Sequence, residues 1–99
     1  MSEHTPKGYL VGRVSVHDME GYKAYAAKAT AAIAQHGGKV LARGGRAEIV
    51  EGEGRMRNVV IEFSSFEAAR AYFFSPEYEA ARRIRWPISI GDFVIVEGV

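Results

Sequence analysis

Residues Arg57–Phe63 read RNVVIEF, the most β-prone stretch of the chain, and its two faces decide what kind of fold this is. Side chains of an extended strand alternate between faces, so Val59, Ile61 and Phe63 share one side while Val60 lies on the other. A sheet wetted on one side would instead alternate apolar and polar residues. The same two-sided apolarity recurs near the C-terminus, where Phe93 and Ile95 oppose Val94 and Val96. It recurs near the start, where Tyr9 and Val11 oppose Leu10 and Val14. These strands predict a sheet covered on both faces.

Working outward from that strand, Ser64 or Ser65 is placed to cap a helix running through Phe66, Ala69 and Phe73. Ser75-Pro76 predicts a fresh helical start, with Glu77–Arg85 kinked against the first piece, because proline suits the first turn but not the interior. Trp86-Pro87 ends it, and Asp92–Glu97 (DFVIVE) is the last strand. On the N-terminal side, GEGRM (residues 52–56) is a charged turn. Lys39–Arg43 and Arg46–Glu51 are expected to form a hairpin about Gly44-Gly45. Before them, Tyr22, Ala26, Ala29 and Ile33 make one stripe of an amphipathic helix from Met19 to His36, capped by Asp18 and closed by Gly37-Gly38. Gly8–Val16 is the first strand.

The resulting order is βαββαβ with the second helix broken in two. Its economical packing is an α+β, ferredoxin-like antiparallel sheet with the helices on one face. Right-handed crossovers put both helices on the same side, leaving an apolar face for a partner. A second copy of the chain is the expected cover, which makes the folding unit a homodimer, a dimeric α+β barrel.

The 99 residues suit one domain, expected over 8–99, with residues 1–7 a flexible N-terminal tail. Thirteen Lys+Arg against twelve Asp+Glu leave a formal charge of +1, too little to expect nucleic acid or an anionic membrane as partner. There is no cysteine, and therefore no disulfide framework or thiol nucleophile. The polar start MSEHTPK does not read as an export signal, so a cytoplasmic protein is expected.

These residues also carry a resemblance. The framework GYLVGRVSVHD (8–18), Tyr22 and Tyr25, HGGKVLARGGRAEIVEG (36–52), VVIEFSSFEAARAYFFSPEYEAAR (59–82) and VIVEGV (94–99) resembles the family called domain of unknown function 1330. The resemblance spans residues 8 to 99 and departs at His17 and at Trp86-Pro87-Ile88. It implies a dimeric α+β barrel of ferredoxin-like subunits and no established reaction.

For chemistry, His4, His17 and His36 match no zinc-ligand spacing, and neither metal nor cofactor is expected. Arg43-Gly44-Gly45-Arg46 lies between strands, not ahead of a helix, so a turn is expected there before a phosphate cradle. An inward Arg43 would need a carboxylate, for which Glu51 and Glu62 are candidates. The run Arg82, Arg83, Arg85 reads as a solvated helix face. The residues expected to line a ligand-binding cleft between helices and sheet are Arg13, Tyr25, Arg43 and Tyr78. Monooxygenases sharing the barrel tend to use Asn, Trp and Arg together, and here Asn58 and Trp86 stand alone. Catalytic residues are not identifiable. Two functions stay open: binding or transforming a small apolar molecule in the cleft, or a non-catalytic dimeric module with a filled core.

Overall fold

The computed structural model describes residues 4–99. The first three residues of the expected tail lie outside the described residues. Strand β1 (Gly8–Val16) leads to helix α1 (Met19–Gln35), whose first amides are capped by the Asp18 carboxylate through the N–H groups of Glu20 and Gly21. Gly37, at φ 69°, turns the chain out of α1 into strand β2 (Lys39–Arg43). Strand β3 (Arg57–Phe63) follows a long loop. Helices α2 (Phe66–Phe73) and α3 (Pro76–Arg85) come next, then a 3-10 turn (Trp86–Ile88) and strand β4 (Ser89–Glu97). The sheet order is β2-β3-β1-β4 and every pairing is antiparallel.

The break between α2 and α3 falls at Ser75, as expected. Its hydroxyl donates to the Tyr72 carbonyl at 2.7 Å and accepts from the Tyr78 N–H at 3.1 Å, so one side chain ends α2 and starts α3. The helices cover the face carrying Leu10, Val14, Ile61 and Phe63, all nearly inaccessible to solvent. The opposite face holds Tyr9, Val11, Val60, Val94 and Val96; Val94 is 55% and Val96 47% exposed. The two-sided apolarity read from RNVVIEF is therefore real, and among the described residues no helix covers the other side of the sheet.

Two expectations need correction. Arg46–Glu51 forms no strand: the Gly44 N–H donates to the Asn58 carbonyl at 3.1 Å, prolonging the pairing of β2 with β3 and leaving residues 45–56 as a loop. The hairpin partner of β2 is Arg57–Phe63, farther along the chain. The final strand also begins earlier than Asp92, at Ser89, because β1 offers a pairing edge as far as Val16.

An irregularity in β2 sets up the site. Lys39 pairs with Glu62 and Val40 with Ile61, but the next pairs are Ala42 with Val60 and Arg43 with Val59. Leu41 is the inserted residue of a β-bulge. That insertion puts Arg43 in phase with Val59 and turns it toward the helices.

Candidate functional site

Between α1 and the sheet lies a cavity of about 40 Å³. Its walls include Leu10, Val14 and Ile61 from the sheet, Ala29 and Ile33 from α1, and Tyr78 from α3. A space of this size takes about three water-sized groups. Thr30, Arg43 and Arg57 add polar groups to the lining, which contains no aspartate or glutamate.

Tyr25 and Tyr78 meet across this space, their hydroxyl oxygens 2.9 Å apart. Tyr25 belongs to the inner surface of α1 and Tyr78 sits at the capped start of α3, so the pair ties the two helices together. Desolvation raises the Tyr25 pKa far above that of a free phenol, the neighbouring Tyr78 adds to the rise, and Arg85 opposes it. Tyr72 is raised likewise, chiefly by burial and then by Tyr78. Tyr25 and Tyr72 thus stay neutral through the physiological range, and the Tyr25 hydroxyl acts in hydrogen bonding with Tyr78, not as a base.

Three of the four residues expected at the cleft are brought together: Tyr25, Arg43 and Tyr78 all line the cavity. Arg13 is not among them. It lies one residue out of phase with Gly12 and Val14, on the sheet's other face, paired in register with Asn58 and Asp92. The ion pair considered for Arg43 is not formed. The Arg43 Nη1 donates to the Thr30 hydroxyl at 3.2 Å, whereas Glu62 projects from the far face and accepts from the Tyr9 hydroxyl. Asn58 and Trp86 stay away from the cavity: the Asn58 amide bonds the Arg55 and Met56 carbonyls, and Trp86 is 60% exposed.

Arg85 corrects the expectation of a solvated basic face. Only 4% of it is exposed. Tyr78, Ala81 and Arg85 are all buried and recur at helical spacings of three and four, so the arginine continues the inner stripe of α3. Its guanidinium lies 4.3 Å from the Phe93 ring centroid and 5.5 Å from that of Tyr25. Arg57 mirrors it at 4.8 Å from the Tyr22 ring. Since the Tyr22 and Tyr25 rings are 5.0 Å apart, the four residues form a stack with an arginine at either end. Neither arginine meets a carboxylate among the described residues, and the Nε of each is buried without a hydrogen-bond partner.

Arg57 was legible at period two from Val59 and Ile61, and Arg85 at seven residues from Tyr78. His36 closes α1 and binds the Glu77 carboxylate at 3.1 Å. Among the described residues, no three His, Asp or Glu side chains gather as a metal site, and no helix is long and apolar enough to cross a membrane.

The model of a domain of unknown function, DUF1330, matches residues 7–99. No curated protein matches the chain. Among solved structures, a protein of unknown function from Rhodopseudomonas palustris, RPA0582, superposes with a TM-score of 0.76 at 17% identity, covering 97% of this chain and 85% of its own. SnoaB, a cofactor-independent oxygenase from Streptomyces nogalater, gives 0.62 at 15% identity, covering 93% and 92%. A dimeric protein of unknown function and ferredoxin-like fold from Bacteroides fragilis gives 0.58 at 17% identity, covering 92% and 95%. At these identities the likeness is one of fold.

Proposed function

The chain belongs to the DUF1330 family, and from that premise we propose that it is a homodimeric protein which holds a small, largely apolar molecule in the cleft between α1 and the sheet. The observation that carries this reading is the cavity itself, walled by aliphatic side chains and bordered by the Tyr25–Tyr78 hydroxyl pair. Small-molecule sites generally combine apolar walls with a few placed polar groups. A module whose core is filled would leave no such space.

The homodimer rests on the uncovered sheet face, where Val11, Val60, Val94 and Val96 form an apolar surface beside a polar end of Arg13, Arg55 and Asp92. Covering it with the same face of a second copy removes apolar area from water at about 25 cal/mol per Å². The ferredoxin-like protein of Bacteroides fragilis is described as dimeric, which supports the same arrangement here. SnoaB, described as a cofactor-independent oxygenase, has a similar fold in which small-molecule chemistry is carried out, and turnover in this cleft would be of that general kind.

Native mass spectrometry of freshly purified protein tests the reading. The expected result is a dimer carrying a small molecule that is absent from the cavity-filling variant Ala29→Leu. A monomer, or equal retention of the molecule by that variant, overturns it.

A further inference from the structure

The cavity's polar equipment has one sign. Arg43 and Arg57 line it, no acidic residue does, and neither guanidinium is paired with a carboxylate among the described residues. Arg85 adds a third unpaired cation behind the Tyr22–Tyr25 stack, 4% exposed. Buried or half-buried charges are costly unless neutralised. Tyrosine rings ease that cost through cation–π contact but do not neutralise it.

Gly44 brings the two lining arginines together. It takes φ 64°, which suits glycine, and a Cβ there would stand 2.6 Å from the Arg57 Nη1. The residue immediately before it is Arg43, held toward the helices by the Leu41 bulge and the Thr30 hydroxyl. The Arg43-Gly44 pair therefore places one guanidinium at the cleft and clears the ground for the other. Two planar guanidinium forks on the lining of an apolar pocket, Arg43 exposed and Arg57 half-buried against Tyr22, match a carboxylate, which can accept hydrogen bonds from both.

Resting on the reading that the cleft takes a ligand, we infer that this ligand is a short-chain monocarboxylate, its charged end between Arg43 and Arg57 and its tail in the cavity. The volume limits the tail to about three non-hydrogen atoms. The carboxylate stays at the mouth, where Arg43 is exposed, so the anion is not carried into the apolar interior.

The test is an NMR titration at constant ionic strength, read at the amides of Ala29, Thr30 and Gly44. The probes are butyrate, its neutral analogue butanamide, and inorganic phosphate. Butyrate is expected to saturate all three signals, with butanamide and phosphate at least about tenfold weaker. Arg43→Gln, at an exposed position, and Arg57→Lys are each expected to bring butyrate down to the level of butanamide. Equal binding of butanamide and butyrate overturns the anion while leaving the small-molecule cleft standing. Phosphate binding as strong as butyrate reduces the site to a surface charge patch and overturns the role of the cavity. No response to any probe overturns the inference and the underlying reading together.

Discussion

The hydroxyl oxygens of Tyr25 and Tyr78 lie 2.9 Å apart across the buried seam between α1 and α3. Each phenol is the other's hydrogen-bond partner. Tyr25→Phe therefore deletes one hydrogen bond and leaves the Tyr78 hydroxyl buried and unpartnered. The expected loss is about 1–3 kcal/mol in chemical denaturation, with the fold retained. An unchanged midpoint would show that the pair does not hold the helices together.

Alkaline pH should destabilise the protein more than its net charge suggests. The folded state keeps Tyr25 and Tyr72 protonated above pH 10.0, where tyrosines of the unfolded chain lose their protons. The unfolded state then binds fewer protons, so stability is full below that pH and falls as pH rises beyond it. Each buried phenol contributes about 1.4 kcal/mol per pH unit to the fall. Thermal midpoints measured from pH 8 to 11.5 should be flat up to about 10 and then drop. In Tyr25→Phe the drop should be shallower by one tyrosine's share.

Two adjacent glycines should respond oppositely to alanine. Gly44 has φ 64° and a would-be Cβ close to Arg57, whereas Gly45 has nothing within 4 Å of that position and no positive φ. Gly44→Ala is expected to cost about 1–2 kcal/mol and to shift Arg57. Gly45→Ala should be neutral or slightly stabilising. Paired urea titrations decide between this and a loop indifferent to both changes.

The open sheet face offers a direct test of assembly. Val94 pairs in register with Val11 at its centre and is 55% exposed in the single chain. Val94→Lys should convert the sedimenting species from dimer to monomer and lower the thermal midpoint. A variant that still sediments as a dimer would place the subunit contact elsewhere.

Much of this was legible in the order of residues. RNVVIEF announced a strand with two apolar faces, Asp18 and Ser75 marked helix starts, and Tyr25, Arg43 and Tyr78 fall on the lining of one cavity. The failures have local causes. Gly44-Gly45 resembles a tight hairpin turn, but Gly44 extends the pairing with Asn58 instead, and Arg46–Glu51 stays in the loop. Arg85 looks like part of a solvated run because arginine is rarely buried, and its place on the Tyr78–Ala81 stripe outweighs that preference. Arg13 shares a strand with core residues yet has the opposite parity. Arg57, next to a charged turn, passes as the strand's polar end.

The bulge at Leu41 makes pairing register, not residue type, the arbiter of the cleft's charge. Were Leu41 paired with Val60 instead of bulged, strict alternation would give Ala42 the place opposite Val59 and send the arginine to the far side of the sheet. The same amino acids would then furnish a cleft lined by Arg57 without Arg43, and a more basic surface on the open face of the sheet. Relatives that keep the Arg-Gly-Gly tripeptide but pair this strand without the bulge need not share a ligand. Inheritance of this site is thus better followed by the register of the edge strand than by matching letters.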